Sequence, residues 1–349
     1  MIICAAMRDE SRQNAPDARN VRYVKIKSER NRTIILDDME IPALRSRLVL
    51  PSDVGLGGIP LDSVINGDMM GVIDRLPDAF ADLIIVDPPY NLTKVFNTSK
   101  FSARSESEYH DYLASWVPKV CAKLKRNGSL YMCCDWKCSS SVQRVLSGEL
   151  VVLNRITWQR EKGRGASGNW KNSMEDIWFA VRDPDDYHFD VESVKMKRRV
   201  IAPYTKDGAP KGWNAEPDGN YRITFPSNFW DDITIPFWSM PENTEHPTQK
   251  PEKLYAKLVL ASSRPGDIVF DPFSGSGTAC VVAKKLGRHY CGIEIDEKYC
   301  LLAEKRLSLA DGDKSIQGFE DGFFWERNSK PSAARSASSE KKGYVRKFD

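Results

Sequence analysis

The chain has 349 residues, 41% of them apolar and 28% charged, proportions of a globular protein long enough to bury a sizeable core. No run approaches the ~20 apolar residues of a membrane span. The opening MIICAAM is too short, and too soon followed by charge, for a signal peptide, so a cytoplasmic protein without a membrane anchor is expected. A net charge of +3 announces no nucleic-acid affinity by itself. Eight cysteines and four histidines lack zinc-site spacing, YMCCDWKC at 131–138 included, so buried thiols and no metal are expected.

Residues 1–60 are polar, carry Pro42, Pro51 and VGLGGIP, and read as an N-terminal extension or small accessory module. From residue 61 the pattern sharpens. SVINGD reads as a strand, MMGVIDRLPDAF as helical and ADLIIVDPPY as a strand. YHDYLASWVPKVCAKLKRNG is an amphipathic helix whose C-cap is expected at Asn127-Gly128. GSLYMCCD, LVVLNRITWQ and EDIWFAVRD read as three further strands. The segment of about 160–245 becomes rich in Pro, Asp, Asn, Trp and Tyr and reads, above all from 182, as an irregular insertion. PEKLYAKLVLASSRPGD is a helix, IVFDPFSGSG a strand with a glycine loop, and TACVVAKKLG a helix. RHYCGIEID is a strand and EKYCLLAEKRLSLA the last helix.

This alternation predicts an α/β domain over 61–310 with a mostly parallel, Rossmann-like sheet. The remainder, 311–349, is expected to be a disordered tail. From about Arg327 it is basic, Ser-rich and nearly free of large aliphatics, a composition that cannot bury enough surface to fold alone.

Open α/β sheets bind ligands at the carboxyl ends of their strands. In VFDPFSGSGTAC, Gly275 and Gly277 would let the backbone approach a ligand, and the helix beginning near Thr278 would turn free N–H groups towards it. A phosphate loop needs Lys and then Ser or Thr after its last glycine, and neither is present. A dinucleotide fingerprint wants Gly or Ala where this chain has Cys280. Glu294 stands 17 residues past Gly277, about where a strand-end acid holds ribose hydroxyls. A ligand with a ribose and a carboxylate but no phosphate fits better, and S-adenosylmethionine is one. Taken alone, the loop could equally be a tight turn.

Asp87-Pro88-Pro89-Tyr90, with Phe273-Ser274-Gly275-Ser276-Gly277 and the HPTQKP of 246–251, resembles the exocyclic-amino DNA methyltransferases. The tetrad precedes the glycine loop, which is the order of the family's β class. The resemblance runs from about Asp62 to Leu309. It implies an S-adenosylmethionine-dependent methyltransferase fold with an inserted target-recognition region, and duplex DNA as substrate. The tetrad would be catalytic: Asp87 and the Pro88 carbonyl each accept one amino N–H, so that the nitrogen lone pair points at the sulfonium methyl. The diproline would fix that carbonyl, and Tyr90 would stack on an extruded base. The glycine loop, Thr278, Glu294 and Asp271 at the strand end would bind the cofactor. Thr248 and Lys250 would sit near its methionine end, and Asp68 either near it or as a helix N-cap.

Asp at the first tetrad position favours adenine N6 over cytosine N4, with the cytosine reading open. Arg160, Lys162 and Arg164 of REKGRG, and Lys195, Lys197, Arg198 and Arg199 of KMKRR, are candidate phosphate contacts. Trp170, Trp213, Tyr221, Phe229 and Trp230 are candidates for base contacts or for a small local core. A homodimer and a cognate restriction endonuclease are further expectations by analogy. RNA or protein amino-methyl transfer and a catalytically silent DNA binder are the competing classes.

Overall fold

Leu83 to Val86 are all within 1% of full burial, and their alternation sets the architecture. Leu83 and Ile85 face one hydrophobic cluster, Ile84 and Val86 the other, as a strand covered on both faces requires. The computed structural model describes residues 29–55, 58–97, 99–160, 168–217 and 219–326.

In chain order the first elements are α1 (Ile41–Arg45), β1 (Ser63–Asn66), α2 (Met69–Val72), β2 (Ala81–Val86) and a hairpin of β3 (Lys94–Phe96) and β4 (Ser99–Phe101). Next come α3 (Glu106–Ala122), β5 (Leu124–Cys134), α4 (Ser139–Glu149), β6 (Val151–Gln159) and β7 (Met174–Val181). The insertion holds β8 (Met196–Arg199), β9 (Thr205–Lys206), β10 (Ala209–Pro210), β11 (Asn214–Glu216), β12 (Gly219–Thr224) and β13 (Phe229–Trp230). The chain then gives α5 (Glu252–Ser262), β14 (Ile268–Asp271), α6 (Thr278–Lys285), β15 (His289–Glu294), α7 (Glu297–Gly312), β16 (Phe319–Glu320) and β17 (Phe323–Trp325).

The main sheet has the order β1-β15-β14-β2-β5-β7-β6-β13. Only β7 runs antiparallel in it. Helices α2, α3 and α4 cover one face and α5, α6 and α7 the other. Strands β2 and β14 are hydrogen-bonded neighbours, with Phe270 opposite Ile84. The chain leaves them in opposite directions across the sheet, so their carboxyl ends open the crevice in which such folds take ligands.

Three sequence expectations change. Helix α3 starts on a Ser105–Glu108 capping box but ends at Ala122, and Asn127-Gly128 lies inside β5. Gly128 is needed there for close approach. A Cβ would stand 2.7 Å from Leu124 Cδ1 and 3.0 Å from the Asp82 carbonyl oxygen, beside the register slip between Ala81 and Leu83. Second, β7 belongs to the middle of the main sheet, so the insertion proper begins after Val181.

Third, the tail expected from 311 continues α7 to Gly312, and its Phe323-Phe324-Trp325 segment pairs in parallel with β8. It thereby joins a second sheet of order β11-β12-β8-β17-β16. Burial of Phe324 and Trp325 drives this, secured by Lys253 Nζ on the Trp325 carbonyl. The basic stretch from 327 and the opening MIICAAM lie outside the described residues. Residues 29–60, where described, run along the domain. Ile34 bridges to Thr244, Val49 to Ile65, and Arg45 pairs with Glu297 of α7. Among the described residues no helix is long and apolar enough to cross a membrane, and the seven described cysteines are buried and unpaired.

Candidate active site

One cavity joins the ends of β2 and β14. It is lined by all four residues of the tetrad and by Thr248, Lys250, Asp271, Phe273, Ser274, Gly275, Ser276, Thr278 and Glu294. Two residues expected at the cofactor do not line it. Asp68 is exposed and caps α2 by accepting from the Met70 N–H. Gly277 is the N-cap of α6, with φ of +76°, and a Cβ there would meet Ala303 Cβ at 2.6 Å. That glycine serves the packing of α6 on α7.

At the tetrad end, the ammonium of Lys250 is surrounded by acceptors. Its Nζ lies 2.6 Å from Asp87 Oδ2, 3.1 Å from Tyr90 Oη and 3.3 Å from Glu175 Oε2, one partner for each of its three protons. Tyr90 Oη also stands 2.9 Å from Asp87 Oδ1 and 3.0 Å from Glu175 Oε2. With one proton it donates to only one of the two carboxylates at a time. Arg160 Nη1 holds Glu175 from the other side at 2.8 Å.

These contacts sort the protonation states. Burial opposes the Lys250 charge, but Asp87 and Glu175 outweigh it and raise its pKa. Burial would also raise Glu175, yet Lys250 and Arg160 bring it below its ordinary value. Asp87 is raised, by burial first and against the pull of Lys250, with Glu175 adding to the rise. The Pro89 carbonyl accepts the Tyr109 hydroxyl at 3.1 Å, which fixes the peptide between Pro89 and Tyr90.

At the glycine-loop end, Glu294 accepts the Gly275 N–H at 2.9 Å through one oxygen and the Asp296 N–H at 2.9 Å through the other. A carboxylate oxygen has a second lone pair, so each can still take a hydroxyl. Ser274 Oγ is buried on the cavity wall with no hydrogen-bond partner among the described residues. Asp271, at the end of β14, is pushed up to about 8, chiefly by burial. His246 closes this side, its ring edge-on to Tyr299 at 4.4 Å. It is lowered to about 3 by burial and by the Lys250 and Lys94 charges, and is therefore neutral. A Cβ on Gly275, at φ of +52°, would come within 3.0 Å of it. Thr278 Oγ1 ties the two ends together, donating to the Lys250 carbonyl and accepting from Arg306.

Sequence reasoning missed Glu175, Lys94, His246, Tyr255, Asp296 and Tyr299 as liners. His246 stood in the quoted HPTQKP motif, and Glu175 was visible as an acid opening an otherwise apolar strand.

The cation assignments change more. Arg160 is a cavity residue bound to Glu175, and Lys162 and Arg164 lie outside the described residues. Lys195 pairs with Glu192. Lys197 pairs with Glu216 and lies over the rings of Tyr221 and Trp325. Burial falls along β8, with Met196 buried, Lys197 and Arg198 half-buried and Arg199 exposed. Among the aromatics, Tyr221 and Trp230 are buried and Trp213 half-buried, whereas Trp170 and Phe229 are exposed.

The sheet order, with one cavity joining a DPPY strand end to a glycine loop, defines an α/β methyltransferase. The N6_N4_Mtase family, described as DNA methylase, matches residues 81–305, and the chain belongs to that family. The DNA adenine methyltransferase YhdJ of Escherichia coli (strain K12) is 32% identical over 254 residues, spanning 71% of this chain and 83% of the relative. The type II methyltransferase M.HpaI of Haemophilus parainfluenzae is 30% identical over 259 residues, spanning 74% and 76%. The solved PvuII DNA methyltransferase (cytosine-N4-specific) superposes with a TM-score of 0.53 at 16% identity, over 73% of this chain and 93% of that one, a likeness of fold.

Proposed function

We propose that this member of the family transfers the methyl group of S-adenosylmethionine to the N6 amino group of adenine in duplex DNA. The observation that carries the reading is the single cavity lined by both the Asp87–Tyr90 tetrad and the 273–276 loop. Its donor set suits the cofactor. Ser274 Oγ is a buried polar atom without a partner among the described residues, and Glu294 keeps lone pairs for ribose hydroxyls. The cavity's acidic liners, Asp87, Glu175, Asp271, Glu294 and Asp296, outnumber its basic ones, Lys94, Arg160 and Lys250. That acidic bias suits a sulfonium cation. When bound, the cofactor supplies an electrophilic methyl group.

The chain's own part is to hold the amine. Asp87 accepts from Tyr90 and Lys250 and, with about four lone-pair sites, has room for an amino N–H. The Pro88 carbonyl, in a segment set by proline φ and by the Tyr109 anchor, takes the other. Lys250 keeps Asp87 ionised and so able to accept. Asp at the first tetrad position and the name of the Escherichia coli relative both favour adenine. The type II name of the Haemophilus relative supports a cognate restriction endonuclease acting at the same site. The β-class order, extrusion of the target base and a homodimer belong to the same reading.

The test is methyl transfer from labelled S-adenosylmethionine to mixed-sequence duplex DNA, followed by nucleoside mass spectrometry, with Asp87→Ala alongside. Label in N6-methyladenine that disappears in the variant is the expected result. Label only in N4-methylcytosine would overturn the adenine reading, and no label in DNA would overturn the substrate.

A further inference from the structure

The turn between β5 and α4 carries Trp136, 56% exposed, followed by an exposed Lys137 whose Nζ lies 5.7 Å from the indole centroid. Strand β5 is the hydrogen-bonded, parallel neighbour of β2, so this turn sits at the same sheet edge as the tetrad. It is also fastened to the tetrad. Asp135 Oδ1 accepts the Cys138 N–H at 3.0 Å, and Cys138 Sγ accepts the N–H of Asn91, the residue after Tyr90, at 3.2 Å. Asp135 and Cys138 are both buried. The large apolar ring is thus held outward by a rigid, buried turn beside the catalytic mouth.

A base inside a duplex cannot reach Asp87 without leaving the stack, and the vacated place must be filled for extrusion to be favourable. We propose that Trp136 is the DNA-contacting side chain that stacks where the target base was, with Lys137 on the adjoining phosphate. This rests on the duplex-DNA reading of the preceding subsection. An indole face accepts any base, so the contact supports extrusion at whatever sequence the insertion selects. The lysine adds a salt-dependent, sequence-independent share of the affinity.

The experiment uses the full chain and a short duplex carrying the methylated site, located by sequencing the methylated genome of an expression host. The target base is either normally paired or set opposite an abasic nucleotide, which removes most of the cost of extrusion. Trp136→Ala should lower kcat/KM on the paired duplex by about 5- to 150-fold, the range of base–aromatic stacking. Most of the loss should be recovered on the abasic duplex, and Trp136→Phe should keep most activity on both. Phe189→Ala, an exposed aromatic beyond the other end of β7, should match wild type. 2-Aminopurine at the target position should brighten on binding wild type and much less with Trp136→Ala.

Equal losses on both duplexes, or a Trp136→Ala variant indistinguishable from wild type, would overturn the proposal. So would a change in oligomeric state with methylation of the paired duplex intact. Wild-type protein that labels no DNA overturns the underlying reading; wild type that labels DNA while Trp136→Ala equals it overturns this inference alone.

Discussion

Replacing Lys250 by methionine removes the cation from the tetrad while keeping most of the side-chain volume. In the wild type its Nζ is 2.6 Å from Asp87 and 3.3 Å from Glu175, and those carboxylates share the Tyr90 hydroxyl. Without the ammonium, Asp87 keeps the burial and the Glu175 repulsion that raise its pKa and loses the main attraction opposing them. An opposite charge at this range is worth about 1–3 pH units to a carboxyl, or about 1.4–4 kcal/mol. Asp87 must be ionised to accept an amino N–H, so activity falls as pH drops through its pKa. The acidic limb of the wild-type profile should lie above the ordinary Asp range, and in Lys250→Met it should move up by about 1–3 units. The assay is single-turnover methyl transfer at saturating cofactor from pH 5 to 9, with thermal melts at each pH to confirm that the variant is folded. An acidic limb that stays in place, or moves down, would refute the assignment of Lys250 as the group that keeps Asp87 charged.

Glu242 is buried beside Glu252, Arg306 and Lys285 and is raised to about 7, by burial first and then by Glu252. Its folded pKa exceeds the unfolded value of 4.5, so its contribution to stability is fully present below about 4.5 and is lost as pH rises through about 7. Glu242→Gln, whose amide oxygen can still accept the Glu252 N–H, should gain on wild type between pH 5 and 8 by up to about 3 kcal/mol in urea melts; a difference independent of pH would contradict this. Two positions of the basic cluster should separate by assay. Arg199→Ala should weaken DNA binding at all sequences and flatten the salt slope by about one. Lys197→Ala should chiefly lower Tm, by losing Glu216 and the two rings it covers. Equal salt slopes for Arg199→Ala and wild type would remove Arg199 from the interface.

The tetrad and the glycine loop were legible because their chemistry needs contiguous residues at strand ends, and local sequence shows contiguity. Glu175 was not, for a topological reason. A search of the residues that follow each strand finds functional groups only where strands run parallel. Strand β7 runs the other way, so its beginning lies at the catalytic edge, bringing Glu175 within 3.3 Å of Lys250. Nothing local in EDIWFAV announces that reversal. In KMKRR the charges were plain but their partners were not, since Glu216 is distant in sequence and Trp325 more so. The apolar trio at 323–325 was a readable signal inside a polar tail, and its pairing with β8 depended on a surface built by the insertion.

That reversal also brings the two ends of one connection beside the tetrad. The connection from β6 to β7 leads from Arg160 to Glu175, and both reach into the cavity where the tetrad lies. Both ends of that connection thus lie next to the group that helps set the charge on Asp87. Thr278 gives the cofactor side a comparable hold, since its hydroxyl donates to the carbonyl of the same Lys250 whose ammonium meets Asp87. Lys250 is therefore the residue through which α6, the tetrad and the ends of β6 and β7 are all in direct or one-step contact. Positioning supplies much of the rate when reacting atoms must be aligned within ~3–3.5 Å. A buried ammonium with three fixed acceptors aligns the tetrad more rigidly than an exposed pair could, and the desolvation that makes it costly also makes its geometry hard to deform.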